Sequence, residues 1–319
     1  MTLKLSLDEN RNKKYEEFLK TCRDGSAIVT NIVDLGHKLM RKHKLHHHFF
    51  ENNSLWASSK ALAYFGLANA TASNNDKITE TDAIKILELF ERRIADRIPV
   101  EYITHEADYA GNKYYVNEYV LVPRSLMNTR FNDFLNQIHW ENYRVLDLCA
   151  GSGCVGITLA LLDSKIQVDL VDISQEALGV ASTNIERYNL SDRVRCIKSN
   201  LFENVQGKYD LIITNPPYVS TSEYNKSPDE FKNEPKLALE GGVDGLDIIK
   251  VILSKAKLYL NPDGILIAEV GLPAAARLKK QYRRVHFQWF KYRTPSGKVS
   301  FFNDPGVFLC RRIDLSAVF

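Results

Sequence analysis

The chain has 319 residues, of which 45% are hydrophobic and 25% are charged, and its formal net charge at pH 7 is +3. This length accommodates one large domain or two smaller ones, and so mild a charge permits a nucleic-acid or ribosomal partner without indicating one. No apolar run reaches about 18 residues and the N-terminal segment is polar, so we expect neither a membrane span nor a secretory signal.

The cysteines point to a reducing compartment. Their number is odd and no two form a C-x-x-C pair; they are Cys22, Cys149, Cys154, Cys196 and Cys310. Free thiols in buried strands, or in the turns after them, behave as small apolar residues. We therefore expect a cytoplasmic protein.

The first part of the chain, 1–98, predicts a small helical domain. Apolar residues recur at helical spacing over 14–43, 54–70 and 80–98. Thr79 or Thr81 is a suitable N-cap for the last of these segments, and Pro99 would end it.

A hairpin linker is predicted over 99–125. The stretch YITHEADYAGNKYYVNEYVLVPRS is rich in Tyr and Val, contains a turn signal at Gly111-Asn112 and leads out at Pro123. We expect it to connect the helical domain to the rest of the chain.

The remainder, 126–319, predicts a doubly wound α/β sheet. Short apolar runs suited to buried parallel strands alternate with helical stretches, at 144–149, 167–173, 194–200, 209–214 and 264–270. Two further runs, 286–292 and 306–312, have no room for a helix between them, so they predict an antiparallel pair at the sheet edge.

A ligand site is predicted at the carboxyl ends of the first three strands, where open α/β sheets bind ligands. The first strand ends in DLCAGSGCVG, in which Asp147 would face an ammonium group and Gly151 and Gly153 would let the backbone approach a ligand. This is not the dinucleotide pattern G-x-G-x-x-G. A tight strand-to-helix turn is the structural alternative.

The next two strand ends complete the predicted ligand contacts. Asp172 ends the second strand and could accept both hydroxyls of a ribose, since Ser174 is the better N-cap for the following helix. Asn200 and Leu201 end the third strand and could meet an adenine ring.

The fourth strand ends in NPPY, which predicts a clamp for a planar nitrogen nucleophile. The side-chain oxygen of Asn215 and the carbonyl of Pro216 can hold the two N–H bonds of an amide or exocyclic amine. Pro217 stiffens the turn and Tyr218 offers a flat face for stacking. Such alignment can supply on the order of 7–11 kcal/mol of a reaction barrier. An ordinary N-P-P turn is the alternative.

The motifs DLCAGSG, VDIS, SNLF and NPPY, in this order, resemble those of class I S-adenosylmethionine-dependent methyltransferases, whose fold is Rossmann-like. NPPYVS with PVEYIT, the aromatic hairpin and VPRS resembles the protein glutamine N5-methyltransferases (the HemK group). YYVNEYVLVPRS, NEPKLALEGGVDGLDI and FFNDPGVFLC are most similar to its PrmB branch. The resemblance covers residues 90–319, with a looser likeness before them.

The resemblance implies S-adenosylmethionine as methyl donor and, as acceptor, a glutamine in the third protein of the large (50S) ribosomal subunit. It implies that Asn215, Pro216, Pro217 and Tyr218 hold the glutamine amide. It also implies cofactor contacts, which are Asp147, Gly151, Gly153, Asp172, Asn200, Leu201 and Asn215. The helical domain would recognise the substrate, and no metal is implied.

This sequence departs from the family pattern at two positions. Asn200 stands where the family has an aspartate, and Thr129 stands where the segment after the family's Pro-Arg has a glutamate. Arg124 matches the arginine of that Pro-Arg.

Alternative functions stay open at this point. The acceptor could be the glutamine of a peptide-chain release factor, as in the sister branch, or an exocyclic amine in DNA or RNA. A cofactor-binding assembly factor without catalysis is a further alternative.

Two other features have ordinary explanations. The histidines of HKLHHHFF, at His43 and 46–48, are more typical of a solvated surface than of a metal site. The basic and aromatic stretch 277–293 could contact ribosomal RNA, although cations that guard a sheet edge are the simpler interpretation.

Overall fold

The computed structural model describes residues 5–45, 55–68, 72–131, 143–290 and 306–318. The chain divides into two compact units. Unit 1 comprises Met1–Glu106 and Pro228–Asn233, and unit 2 comprises Ala107–Ser227 and Glu234–Phe319.

Unit 1 is helical in its described part. Its helices are α1 (Glu9–Arg23), α2 (Val29–Lys42), α3 (Leu55–Leu67), α4 (Glu80–Ala95) and α5 (Val100–Thr104), together with the single turn Asp229–Lys232. The predicted segment 14–43 is two helices, because Gly25 adopts a φ of +72° between them. The helices enclose an apolar core that includes Tyr15, Ile32, Leu62 and Phe90.

Capping explains where α4 begins, but Pro99 does not end it as predicted. The Thr79 hydroxyl accepts the backbone N–H of Asp82 at 3.1 Å, as an N-cap does. α4 stops at Ala95, and Pro99 instead precedes α5, where its fixed φ suits the start of a helix.

The hairpin of unit 2 is shorter than predicted. Its strands are β1 (Glu106–Tyr109) and β2 (Asn112–Tyr115). The turn residues are Ala110 and Gly111, with φ of +52° and +78°, rather than Gly111-Asn112. Two consecutive positive φ values are the signature of a type I′ turn, whose twist matches that of the strands.

A seven-stranded sheet forms the centre of unit 2 and confirms the predicted class I methyltransferase fold. Its strands are β3 (Tyr143–Leu148), β4 (Ile166–Asp172), β5 (Val194–Lys198), β6 (Tyr209–Thr214), β7 (Leu260–Val270), β8 (Gln288–Phe290) and β9 (Gly306–Arg311). The spatial order is β5-β4-β3-β6-β7-β9-β8. β8 and β9 form the predicted antiparallel pair, although residues 291 and 292 lie outside the described residues, and β9 also runs antiparallel to β7.

Helices connect and cover these strands. The longer ones are α6 (Cys154–Leu162), α7 (Gln175–Arg187), α8 (Asp247–Tyr259) and α9 (Leu272–Gln281), and single turns lie at Thr221–Asn225 and Lys236–Leu239. Short 3-10 helices cover Leu126–Arg130 and Asp314–Ala317. Two apolar clusters fill the two faces of the sheet.

The strand order creates a switch point between β3 and β6. The chain moves from β3 through β4 to β5 on one side, and then returns to place β6 on the other side of β3. Parallel register aligns Leu148 with Thr214, so the segments after these two residues leave the sheet side by side. Ligands of open α/β sheets bind at such a point.

Candidate active site

A cavity of about 270 Å³ lies at the carboxyl ends of β3, β4, β5 and β6. This is several times the roughly 30 Å³ that one water occupies in the liquid, so a small molecule can enter. The predicted site residues that line it are Asp147, Gly151, Asp172, Asn200, Leu201, Asn215 and Pro217. Gly153, Pro216 and Tyr218 are not among its described lining residues.

Asp147 is buried at the end of β3 and fixes the start of α6. Its Oδ2 accepts the backbone N–H of Gly156 at 2.9 Å. Burial raises the pKa of Asp147 to about 7, against that hydrogen bond, and nearby Asp172 raises it further. An acid in this position gains a strong preference for an adjacent cation, because a positive charge would favour its ionised form.

The glycines of the loop have different roles. Gly151 has a φ of +54° and open space where a Cβ would be, and it lines the cavity. Gly153 is the N-cap of α6, and a Cβ there would lie 2.8 Å from Leu170, so its small size serves helix packing. Cys149, two residues before Gly151, also adopts a positive φ of +59°. Such a backbone costs roughly 1–3 kcal/mol and is typical of ligand sites.

Asp172 shapes the glycine loop from the end of β4. Its Oδ2 accepts the N–H of Gly151 and its Oδ1 accepts the N–H of Ser174, each at 2.9 Å. Ser174 caps α7, as predicted, through the N–H of Ala177. Burial raises the pKa of Asp172, while the backbone hydrogen bonds lower it. Each carboxylate oxygen keeps a lone pair for a ligand hydroxyl.

Asn200 and Leu201 follow β5 at the same edge. The Asn200 amide donates to Glu203 at 2.8 Å, and Leu201 has a φ of +51°. The N–H of Ser199 donates to the Asp172 carbonyl at 3.0 Å, which holds the two strand ends together.

The turn after β6, residues 215–218, is called the NPPY corner here, and it begins at an amide whose oxygen is buried. The Thr214 hydroxyl donates to the Leu148 carbonyl at 2.8 Å and fixes the end of β6 to β3. In the next residue, Asn215, Oδ1 is buried and has no hydrogen-bond partner among the described residues. An unpaired buried acceptor costs about 1–3 kcal/mol, so its presence at a cavity indicates a ligand that donates to it.

Two glycines press against the back of the corner. A Cβ at Gly241 would lie 2.5 Å from the Pro217 carbonyl oxygen, and one at Gly245 would lie 2.3 Å from that of Tyr218. The backbone of Val219 donates to Leu239 at 2.9 Å and accepts from Gly241 at 2.8 Å. The stretch 239–245 therefore supports the corner by direct backbone contact.

The Tyr218 ring packs against Gly271. It lies 3.1 Å from where a Cβ on Gly271 would be. Burial raises the pKa of its hydroxyl, and the charge of Glu269 raises it further.

Sequence reasoning missed two carboxylates that hold the wall formed by 118–125. Glu234 accepts the N–H of Val122 at 2.9 Å and pairs with Arg124 at 2.7 Å. Glu269 accepts the Ser125 hydroxyl at 2.6 Å. Both are at most 2% exposed, and a glutamate in a strand as apolar as GILIAEV was the available signal.

The remaining sequence features lie outside this site. The ring of His43 accepts a hydrogen bond from Arg11 at 3.3 Å, and burial lowers its pKa; residues 46–48 lie outside the described part. No cluster of three or more possible metal ligands occurs among the described residues. Those residues also contain no helix long and apolar enough to cross a membrane.

Known proteins resemble this chain over most of its length. The family model of the methyltransferase small domain matches residues 131–242. Ribosomal protein uL3 glutamine methyltransferases of Neisseria meningitidis and Neisseria gonorrhoeae are each 40% identical over 220 residues, 67% of this chain and 72–73% of theirs. Among solved structures, the hMettl16 catalytic domain in complex with the MAT2A 3'UTR hairpin 6 has a TM-score of 0.50 at 14% identity. It covers 78% of this chain and 91% of that one, a likeness of fold alone.

Proposed function

Because this chain belongs to the family of ribosomal protein uL3 glutamine methyltransferases, we propose that it methylates the N5 side-chain amide of a glutamine in uL3, the third protein of the large (50S) ribosomal subunit. The methyl donor is S-adenosylmethionine. The enzyme acts in the cytoplasm on free uL3 or on an assembling subunit.

The residues at the carboxyl ends of β3 to β5 fit this cofactor. When bound, S-adenosylmethionine supplies an electrophilic methyl group on a positively charged sulfur. Buried Asp147 would hold its ammonium group, and Asp172 would accept its ribose hydroxyls. Asn200 and Leu201 would contact its adenine, and Gly151 leaves room for its close approach.

The observation that carries the acceptor assignment is the unpaired oxygen of Asn215 at this cavity. A glutamine amide nitrogen is a poor nucleophile because its lone pair is delocalised. If Asn215 Oδ1 and the Pro216 carbonyl accept its two N–H bonds, the amide is fixed with its π face toward the methyl group. Pro217 stiffens the corner, and the amide proton leaves to water after transfer.

The other units and surfaces have proposed roles as well. We assign substrate recognition to the helical N-terminal part, 1–98, and assign 99–125 and 126–319 to the linker and the methyltransferase domain. The basic stretch 277–293 is the candidate surface for ribosomal RNA. In its described part, the Lys279 ammonium lies 4.2 Å from the centre of the Trp289 ring.

The test uses radiolabelled S-adenosylmethionine with three acceptors in parallel, namely unmodified uL3, an unmodified release factor, and bulk DNA with RNA. We expect label on uL3 that disappears when its target glutamine is replaced by alanine. Label on the release factor would mean that this chain methylates the release-factor glutamine instead of uL3. Label confined to nucleic acid would mean that the corner holds a base, and would refute the glutamine assignment.

A further inference from the structure

Glu269 is a buried carboxylate beside the site that does not belong to the described cavity lining. It lies one residue before the end of β7 and is 2% exposed. Its Oε2 accepts both the Ser125 hydroxyl, at 2.6 Å, and the backbone N–H of Leu126, at 3.0 Å. A carboxylate is rarely buried to this extent unless hydrogen-bond partners offset the cost of removing it from water.

These hydrogen bonds join two parts of the site that are far apart in sequence. Pro123, Arg124 and Ser125 form part of the cavity wall. β7 is the parallel neighbour of β6, the strand that leads into the NPPY corner. Glu269 thus fixes the wall to the strand beside the corner, and its charge also acts on Tyr218 within that corner.

We propose that Glu269 is a positioning residue for methyl transfer, which through Ser125 and Leu126 fixes the cavity wall at the spacing from the NPPY corner that the acceptor amide requires. It touches neither the cofactor nor the acceptor. This inference rests on the function proposed above, and it adds a residue to which the motifs assign no role.

The hydrogen bonds that hold this wall depend on pH, because they depend on whether the Glu269 carboxyl is protonated. Burial raises its pKa to about 7, against the hydrogen bonds from Ser125 and Leu126 and the charge of Arg124. The titratable groups influenced by Glu269 from the other elements are Tyr109 of the hairpin, Cys154 of α6 and Tyr218 of the corner. An ionised carboxylate is the stronger acceptor, so the wall is held more firmly above about pH 7.

Three variants separate positioning from simple stability. Ser125→Ala removes the hydroxyl donor and leaves Glu269 in place. Glu269→Gln keeps one acceptor oxygen and removes the titration. The matched control is Tyr209→Phe, which removes another hydroxyl that donates to a buried carboxylate at 2.6 Å, that of Asp169, away from the cavity lining.

The experiment measures kcat and KM for uL3 at saturating S-adenosylmethionine across neutral pH, cofactor affinity by calorimetry, and stability in urea. We expect Ser125→Ala to keep cofactor affinity and to lose about 10- to 100-fold in kcat, the scale of one hydrogen bond to a charged group. Glu269→Gln should recover much of that rate and lose the fall in kcat on the acid side of pH 7. Tyr209→Phe should lose stability and keep kcat.

Three results would overturn the inference. They are a wild-type kcat in Ser125→Ala, an equal loss of kcat in Tyr209→Phe, or an unchanged acid limb in Glu269→Gln. Failure of the proposed function would look different, since the wild-type protein itself would then place no label on uL3.

Discussion

At the scale of single residues, the surroundings of each carboxylate decide what it can do. Asp147 and Asp169 both lie in the central sheet, but Asp169 accepts hydrogen bonds from Arg195 and Tyr209. Those partners lower the pKa of Asp169 although burial acts against them, whereas burial raises the pKa of Asp147 to about 7. The negative charge of Asp169 is already balanced by its partners. Asp147 lacks such a partner among the hydrogen bonds described above and is therefore suited to receive a cation.

Cofactor affinity should therefore depend on pH through Asp147. Its pKa rises from 3.8 to about 7 on folding, so its contribution to stability is present at low pH and is lost as the pH rises toward about 7. Binding of an ammonium group favours the ionised form, so affinity should rise by up to about tenfold per pH unit below pH 7. Calorimetry at several pH values measures this rise.

The control for that titration is Asp147→Asn, which retains an oxygen for the Gly156 N–H and cannot ionise. It should bind more weakly at neutral pH and show a flat response between pH 5 and about 7. A slope equal to that of the wild type would remove Asp147 from the ammonium contact.

Replacement of Asn215 tests the clamp itself. Asn215→Ala removes the unpaired oxygen and should lower kcat by roughly 10²–10³-fold, the scale found when one preorganised hydrogen-bonding group is removed from an active site. Cofactor affinity should change far less. Single-turnover assays and calorimetry separate the two effects.

Asn128→Ala is the matched control, because Asn128 also has a buried oxygen without a partner among the described residues but does not line the cavity. It should retain full methyl transfer. Equal activity in both variants would exclude Asn215 as the acceptor of the substrate N–H.

At the scale of structural elements, the loop 239–245 determines where the NPPY corner lies. Its backbone hydrogen bonds and its glycines leave no room for a side chain behind Pro217 and Tyr218. Two prolines limit the corner's own conformations, and the loop limits its position. The geometry needed for an oriented amide thus comes from two segments together.

Gly241→Ala should push the corner forward. Its Cβ would lie 2.5 Å from the Pro217 carbonyl oxygen, a contact that backbone movement alone can relieve. A shift of about 1 Å can cost 10²-fold in rate, so we expect a comparable fall in kcat with little change in cofactor affinity. Steady-state kinetics at saturating cofactor measures it.

The matched control is Gly179→Ala, at an exposed position of α7 where a Cβ meets nothing within 4 Å. It should keep kcat and gain roughly 0.5–1 kcal/mol of stability from helix propensity. If both substitutions were neutral for kcat, the loop would not position the corner.

At the scale of the whole molecule, the chain returns to unit 1 for one short segment, Pro228–Asn233. Within that segment Glu230 is 1% exposed, and it lies 2.9 Å from Arg97 and 4.0 Å from Arg93. Burial lowers the pKa of Arg93 and the charge of Glu230 raises it. A buried countercharge therefore ties residues more than a hundred positions apart into one unit.

Glu230→Gln should destabilise unit 1 by about 3–5 kcal/mol, because it removes a buried countercharge and leaves two arginines beside a neutral group. Hydrogen exchange in α4 would report the loss. The control is Glu80→Gln, which breaks the exposed pair with Arg23 and should change exchange little. Equal protection in both variants would mean that the Glu230 pair does not stabilise the unit.

Much of this molecule was predictable from local sequence. Period-two and 3.6-residue patterns located the strands and helices, and the residues that end adjacent parallel strands had to meet at one edge of the sheet. The predicted position of the hairpin turn was wrong, because neighbouring residues offered competing turn signals. Gly111-Asn112 predicts a turn, but the turn residues are Ala110 and Gly111. A type I′ turn needs a positive φ at its second central residue as well as at its first, and Gly111 adopts it there.

The fold class, the family and the set of strand-end residues follow from contiguous motifs, so they can be inferred without a structure. The side chains that support these residues become apparent only in the folded chain. The pairs Ser125–Glu269, Arg124–Glu234 and Arg97–Glu230 each join residues more than a hundred positions apart. No local pattern specifies such a pair, because its energy comes from shared burial, which exists only once the chain has folded.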